Sequence, residues 1–212
     1  KAFHDFTDDL REMYLAETGD ATRKFGEGQA LVRQNAEEGL KIMLASIDSL
    51  KAFRDALPSE PIRLEPALFM MREDAETLIA QMRAELPQAI ADAASDLEKQ
   101  IQGELIVARN VVGRPLDPAM AEAIRSGSSI EEVLHPLKAA SLKLASLAYL
   151  KRRAESELGV GPEEFARISA LAESAENDYR QTVDRWNRRL SSAGARLARN
   201  ASDKPATAAD LP

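Results

Sequence analysis

Residues 165–190, FARISALAESAENDYRQTVDRWNRRL, decide the fold of this chain. Within this stretch an apolar residue returns every three or four positions, which places these residues on one face of an α-helix. They are Phe165, Ile168, Ala172, Ala175, Tyr179, Val183, Trp186 and Leu190. Because polar and charged residues fill the positions between them, the stretch predicts a long amphipathic helix with one buried face.

The same helical period recurs before this stretch. The apolar positions are Phe3, Phe6, Leu10, Met13, Leu40, Met43, Ile47, Leu50 and Leu57 in a first segment; Leu68, Met71, Ala75, Leu78, Met82, Ala94, Leu97, Ile101 and Leu105 in a second; and Leu137, Ala140, Leu144, Leu147, Ala154 and Leu158 in a third. No segment has the strict alternation of a half-buried strand. These heptad-like seams predict an all-α fold, an elongated antiparallel bundle with coiled-coil packing.

Glycine and proline set the predicted helix ends. Breaks are expected at residues 57–66, 113–118, 126–129 and 159–162, which leave four long helices and a short one at 118–126. We expect a single bundle over residues 1–200 and a flexible tail at 201–212. The residues predicted to end, interrupt or kink helices are Gly113 and Gly159 as C-terminal glycines, Pro162 as a helix start, Gly19, Gly26 and Gly28 within the first segment, and Pro87 and Pro136.

The composition excludes most site chemistry. The 212 residues include no cysteine, two histidines and 5% aromatics, so thiolate sites are excluded and histidine metal sites are disfavoured. The net charge of −7 argues against nucleic-acid binding. Residues 1–113 carry a net −8 and the remainder +1. We interpret this asymmetry as complementary charge between neighbouring helices, with an acidic face for a basic partner as the alternative.

Short chemical motifs give little support for an enzyme. Glu132 and His135 have the spacing of one half of a di-iron site, but the chain has no second Glu-x-x-His. Gly26 and Gly28 lack the Lys-Ser/Thr ending of a phosphate loop. The paired acids at several helix positions point in different directions, so they do not form catalytic dyads. We therefore predict a protein that is not an enzyme and that holds no metal or cofactor.

One stretch of sequence resembles a known family. Residues 177–190, NDYRQTVDRWNRRL, are similar to the last-helix signature of the LemA family, with Tyr179, Val183, Trp186 and Asn187 in the same spacing. Residues 83–87 (RAELP) and 135–139 (HPLKA) extend the resemblance, which covers roughly residues 83–192 with gaps. It departs at residues 87–90, which are PQAI where the family has Pro-Asn-Leu-Val. Residues 1–66 have no family counterpart.

The resemblance implies a bacterial helical bundle tethered to a membrane, without known chemistry. It carries over Tyr179, Trp186 and Asn187 as motif positions, and we predict that these residues bind a partner. Because no run of about 18 apolar residues occurs, a tether would lie before Lys1.

The predicted function is a non-enzymatic scaffold or adaptor of the bacterial cell envelope that binds partner proteins through helix faces. Two alternatives stay open: a lipid-surface or pore-forming-toxin component, and a ligand-sensing bundle of a membrane receptor. The lipid alternative depends on apolar residues at 68–71 and 105–107. A cytoplasmic or secreted location and self-association are also left open. The basic clusters at 151–153 and 185–189 are interpreted as solvated helix faces.

Overall fold

The computed structural model describes residues 2–60, 66–115, 118–119, 121–122, 130–156 and 159–192. Within these ranges no residue lies in a strand, and five helices follow one another: α1 (Ala2–Leu31), α2 (Ala36–Ala56), α3 (Pro66–Val112), α4 (Ile130–Ser156) and α5 (Pro162–Ser192). The predicted all-α fold is confirmed. Of the short helix predicted at 118–126, residues 118–119 and 121–122 are helical, and the rest lies outside the described residues.

The chain divides into two compact units, Lys1–Ile90 and Ala91–Pro212. Unit 1 contains α1, α2 and the first part of α3, whereas unit 2 contains the rest of α3 with α4 and α5. The acidic excess belongs to unit 1, which has 11 basic and 17 acidic residues against 17 and 18 in unit 2. A single elongated bundle over residues 1–200 stays a prediction, and the predicted tail at 201–212 lies outside the described residues.

The first fifty residues form a helical hairpin instead of one continuous helix. A turn at residues 32–34 leads to Asn35, whose side chain accepts a hydrogen bond from the backbone N–H of Glu38 at 3.2 Å and so caps α2. The chain therefore turns at a capping asparagine. It stays helical through the three glycines predicted to interrupt it, Gly19, Gly26 and Gly28.

α1 and α2 approach each other most closely at two glycines. A Cβ atom added at Gly39 would lie 2.5 Å from the backbone N of Val32, and one added at Gly28 would lie 2.8 Å from the carbonyl O of Gly39. Real Cβ contacts are not this short, so the approach of the two helices requires glycine at both positions. The apolar side chains buried around this contact are those of Ala21, Phe25, Val32, Ala36, Leu40, Met43, Ile47 and Leu50.

Two prolines lie inside helices without ending them. α3 continues through Pro87 and α4 through Pro136, although each proline removes one backbone donor. Leu86 and Ala89 beside Pro87 are buried, and Leu134 and Leu137 flank Pro136 in the same way. Packing on both sides of each proline therefore holds the helix together where propensity alone predicts an interruption.

The apolar seam predicted along α3 is covered to different degrees in the two units. In unit 2 the seam residues Ala94, Leu97, Ile101 and Leu105 are all fully buried. In unit 1 only Ala75 and Met82 are buried, while three predicted seam residues are only partly covered: Leu68, Met71 and Leu78. The first part of α3 thus leaves apolar surface that unit 1 does not enclose.

The core of unit 2 is built from α4, α5 and the second part of α3. Tyr179 and Trp186 are its largest fully buried side chains. The predicted stripe of α5 is buried along its length, except that Phe165 is only partly covered. The residues of α4 that complete the core are Leu134, Leu137, Ala140, Ser141, Leu144, Leu147, Leu150 and Ala154.

One of the two predicted C-terminal glycines behaves as expected. Gly159 has a φ of 62°, the left-handed conformation expected of a C-terminal glycine, and α5 begins at Pro162 as predicted. Residues 157–158, which precede it, lie outside the described residues. The prediction for Gly113 is wrong, because among the described residues only Gly159 has a positive φ. The backbone N–H of Gly113 donates instead to the carbonyl of Arg109 at 3.0 Å, which continues the helical pattern for one more residue.

Each unit also ends a helix with an arginine from a neighbouring helix. Arg189 of α5 donates to the carbonyl O of Val111 at 2.8 Å and to that of Arg114, at the end of α3. Arg72 of α3 donates to the carbonyl O of Arg54 at 2.7 Å and of Leu57 at 3.0 Å, at the end of α2. The carbonyls of Val111 and Arg54 each also accept one backbone hydrogen bond, from Arg114 at 3.2 Å and from Leu57 at 3.1 Å. The arginines therefore add donors at two helix ends that are not closed by a left-handed glycine.

Candidate functional site

An open groove of about 650 Å³ lies between α1 and α3 in unit 1. It is formed where the seam of α3 is incompletely covered. Both helices supply residues spaced by one helical turn, which places them on facing surfaces. The lining residues are Tyr14, Leu15, Thr18, Gly19, Thr22 and Arg23 from α1, and Asp74, Thr77, Leu78 and Gln81 from α3.

The apolar part of the groove consists of Leu15 and Leu78 together with the ring of Tyr14. Leu15 is 57% exposed and lines the open groove. The ring of Tyr14 packs against Phe53 of α2 with centroids 6.0 Å apart, so α2 holds this wall in place. The groove therefore has a preformed apolar wall that faces solvent.

The hydroxyl groups of the groove are engaged within their own helices. Thr18 donates to the carbonyl O of Tyr14 at 2.7 Å, Thr22 donates to that of Thr18 at 2.7 Å, and Thr77 donates to that of Glu73 at 2.9 Å. Each hydroxyl proton is therefore used in a hydrogen bond within its helix, and each hydroxyl oxygen can still accept a hydrogen bond from a partner. Gly19 lies between the two α1 threonines with nothing within 4 Å of an added Cβ, so it leaves open space in the groove.

The two charged residues of the groove have different surroundings. Arg23 lies 2.5 Å from Asp20 and 2.6 Å from Glu27, so its charge is balanced within α1. Asp74 forms no ion pair or hydrogen bond with the part of the chain that the structure describes. Its charge reaches Tyr14: burial raises the pKa of the Tyr14 hydroxyl, and the negative charge of Asp74 raises it further. The groove thus carries one acidic group that is not balanced by a nearby cation.

The three residues predicted to bind a partner lie in unit 2, on α5. Tyr179 is fully buried and Trp186 is 1% exposed, whereas Asn187 is partly exposed. The indole Nε1 of Trp186 is buried and has no hydrogen-bond partner within the described ranges. Tyr179 and Trp186 fill the core in this conformation, so contact with a partner would require unit 2 to open. Their role in binding stays a prediction.

The region between α3 and α5 carries a polar cluster on Asp178. Its carboxylate accepts a hydrogen bond from Gln102 Nε2 at 2.6 Å and lies 3.7 Å from the guanidinium of Arg109. Lys143 of α4 adds a hydrogen bond to Gln100 at 2.6 Å. These contacts join side chains of different helices, which indicates that the cluster helps to fix the register of unit 2, although the buried Nε of Arg109 has no hydrogen-bond partner among the described residues.

The remaining sequence motifs do not converge. His135 is exposed, and the side chain of Glu132 lies outside the described part. Among the described side chains, no group of three or more His, Cys, Asp or Glu is arranged to hold a metal ion. Arg185 and Arg188 are exposed on the polar face of α5, as expected for a solvated helix face.

The apolar patches that suggested lipid binding are only partly exposed. Met70 is 62% exposed, while Leu68, Phe69 and Met71 are half-buried. At the second patch Leu105 is fully buried, and Ile106 and Val107 are about half exposed. None of the helices in the described ranges is both long and apolar enough to span a bilayer.

The groove has no counterpart among the sites predicted from the sequence. Leu78 was predicted to be a seam residue like Leu97, since both lie on the same helical period. The available signal was the cluster of Gly28 and Gly39, because small residues mark a close helix contact. Even so, a close α1–α2 contact does not reveal how much of α3 it leaves uncovered.

Comparison with known proteins adds no relative. No family model matches the chain, and no curated protein or solved structure matches it significantly. The resemblance to the LemA family therefore stays a prediction.

Proposed function

We propose that this protein is a non-enzymatic scaffold or adaptor that binds a helix of a partner protein in the α1–α3 groove of unit 1. The observation that carries this proposal is the open groove with an apolar wall of Tyr14, Leu15 and Leu78. These apolar side chains face solvent in an open, shallow groove, so a partner that covers them removes apolar area from water.

The spacing of the lining residues suits a helical partner. Leu15, Gly19 and Thr22 of α1 are separated by four and three residues, as are Asp74, Leu78 and Gln81 of α3. Two such walls extend over about two helical turns, or roughly 11 Å at 1.5 Å per residue. An amphipathic helix presents its anchors with the same spacing, which is the basis of helix-in-groove recognition.

The groove residues are better suited to binding than to catalysis. The threonine hydroxyls donate to backbone carbonyls of α1 and α3, so none is activated by a neighbouring base. Asp74 and Tyr14 are the titratable neighbours, and the effect of Asp74 is to keep the phenol protonated. A neutral phenol and three acceptor oxygens give hydrogen-bond specificity around an apolar contact.

Peptide display with a blocked groove tests the proposal. A library of helical peptides is selected on the full chain, and each enriched peptide is then measured against two variants. Gly19→Gln places a side chain in the groove, whereas Gly26→Gln makes the same change on α1 outside it. Neither position has an atom within 4 Å of an added Cβ, and both changes favour the helix, so both variants should fold.

We expect enriched peptides to lose most of their affinity for Gly19→Gln and to bind Gly26→Gln like the unchanged chain. Equal binding to both variants would show that the peptides bind elsewhere, and the groove would not be the docking site. Circular dichroism of each variant establishes that a loss of binding is not a loss of helix.

The envelope location is a separate part of the proposal and is supported only by the resemblance to the LemA family. Fractionation of the full-length protein in its native cell tests it. Retention in the membrane pellet through high-salt and alkaline washes is expected for a tethered scaffold. Release into the soluble fraction would contradict the tether without affecting the groove.

A further inference from the structure

We propose that the helix bound in the α1–α3 groove is basic, and that it places a lysine or arginine beside Asp74. This inference rests on the proposed function and adds the chemistry of the partner. A cationic amphipathic helix is thus expected to bind more tightly than a neutral or acidic helix with the same apolar residues.

The segments that flank the groove are acidic. Residues 14–23 of α1, which span its lining residues, contain two acidic residues and one basic residue, and residues 68–81 of α3 contain three and one. The basic residue of the α3 segment, Arg72, is directed to the carbonyls of Arg54 and Leu57 at the end of α2. The potential at the groove is therefore negative, and it favours the approach of a cationic partner.

Asp74 is the acidic residue that lines the groove. Some acids nearby are paired: Asp20 and Glu27 lie beside Arg23, and Glu76 lies 3.8 Å from Arg54. Asp74 has no such partner among the described residues, although it lines the groove. A partner cation would supply the missing ion pair where the apolar contact reduces its exposure to water.

The spacing of Asp74 and Leu78 on α3 also determines how far the partner's cation lies from its apolar side chains. On α3, Asp74 precedes Leu78 by one helical turn, so the partner cation lies one turn from the side chain that contacts Leu78. Gly19 faces this region from α1 and leaves room for the partner. The expected occupant thus has a basic residue, an apolar residue and a third anchor on one helical face.

Defined peptides test the inference on the full chain. The probe is a fluorescein-labelled helical peptide of about 18 residues, long enough to form a helix, made of leucine, alanine and lysine. Its matched control has glutamate in place of each lysine. Binding is measured by fluorescence anisotropy at low salt and at about 0.5 M salt, where surface charge is screened. The chain variants are Asp74→Asn, Asp184→Asn, Gly19→Gln and Gly26→Gln.

We expect the lysine peptide to bind at least about tenfold more tightly than the glutamate peptide at low salt, and the difference to shrink at high salt. Asp74→Asn should weaken the lysine peptide about two- to fivefold, the size expected for a partly exposed ion pair. Asp184→Asn removes the same charge at an exposed position of α5 in unit 2, and it should change the affinity for the lysine peptide less than Asp74→Asn does. Gly19→Gln should abolish most of the binding, unlike Gly26→Gln.

The outcomes distinguish the two proposals. If Gly19→Gln and Gly26→Gln bind the lysine peptide equally, the groove is not the site and both proposals fail. If Gly19→Gln blocks both peptides, but the charge of the peptide has no effect or Asp74→Asn behaves like Asp184→Asn, only the basic partner is overturned. Co-sedimentation with anionic lipid vesicles that Gly19→Gln abolishes would replace the partner helix with a lipid surface.

Discussion

The two units differ in the residues at their helix contacts. The α1–α2 hairpin of unit 1 is closest at two glycines, whereas the α4–α5 hairpin of unit 2 contains two large aromatic side chains. In unit 1 the contact is made at Gly28 and Gly39, where an added Cβ would lie less than 3 Å from the neighbouring helix. In unit 2 the core contains Tyr179 and Trp186, both almost completely buried. The first hairpin thus combines a close backbone contact with an aliphatic core, whereas the core of unit 2 contains the two largest fully buried side chains.

The two units also cover their parts of α3 unequally. In unit 2, α5 contacts α3 through Asp178, and the α3 seam at Leu97, Ile101 and Leu105 is fully buried. In unit 1, Leu78 of the same helix stays partly exposed in a groove. Both units cap a helix end with an arginine, so capping does not account for the contrast. The hairpin contact itself is the feature to test.

The largest effect is expected from Trp186→Ala in unit 2. Removing a buried indole from a filled core costs about 3–5 kcal/mol, because apolar contacts are lost and a cavity remains. Urea denaturation followed by circular dichroism measures the free energy of unfolding. Hydrogen exchange with mass spectrometry should place the loss of protection in residues 91–192 and not in α1 and α2.

Trp186→Phe is the matched control. The indole Nε1 has no hydrogen-bond partner in the described part of the chain, so phenylalanine removes volume without breaking a hydrogen bond. Its cost should be clearly smaller than that of alanine. A phenylalanine variant as unstable as the alanine variant would indicate that the indole N–H, and not its volume, stabilises unit 2.

Gly39→Ala is expected to have the next largest effect, and in unit 1. The added methyl group would meet the backbone of Val32, which cannot rotate away as a side chain can, so we expect destabilisation of about 2–3 kcal/mol. Loss of exchange protection should concentrate in α1 and α2. The single tryptophan, in unit 2, provides a separate fluorescence signal for the other unit.

Gly26→Ala is the control on the same hairpin. Nothing lies within 4 Å of its added Cβ, so alanine should stabilise α1 by up to about 1 kcal/mol through helix propensity. Equal effects of Gly39→Ala and Gly26→Ala would contradict the close backbone contact and remove the basis of the comparison between the hairpins.

The two capping arginines should give smaller and similar effects. Arg72→Gln in unit 1 and Arg189→Gln in unit 2 each remove hydrogen bonds to carbonyls at a helix end. We expect each change to cost about 1 kcal/mol, since these bonds are partly accessible to water. Exchange should accelerate at the end of α2 in the first variant and at the end of α3 in the second. A large difference between them would mean that the capping also differs between the units.

Helix period and punctuation were sufficient to predict most of unit 2. The stripe through Tyr179 and Trp186 is buried as predicted, and the chain turns at Gly159 before Pro162. These features are local, because a helical period and a left-handed glycine depend on nearby residues only. Gly113 was mispredicted since its helix end is satisfied by Arg189, which is distant in the sequence.

Unit 1 was harder to predict for the same physical reason. The turn between α1 and α2 is marked by Asn35, whose side chain caps α2 at Glu38, whereas the three glycines predicted to interrupt the first segment lie within α1. The groove depends on how far α1 and α2 are from α3, which no local pattern encodes. The sequence did indicate the acidic excess, but only the structure places Asp74 in the groove.

The smallest expected effect concerns the pH response of the open groove. Burial raises the pKa of Tyr14, and Asp74 raises it further, so folding favours the neutral phenol. This contribution to stability is fully present below the unfolded pKa of about 10 and is lost as the pH rises through the folded pKa. Asp74→Asn removes the charge but not the burial, so it should lower the pKa of Tyr14 without restoring the ordinary value. The chemical shift of a ¹³C-labelled Tyr14 ring, followed through alkaline pH, measures the change. Asp184→Asn, in the closed unit 2, should leave the pKa of Tyr14 unchanged, and an equal decrease would mean that net charge and not the groove determines it.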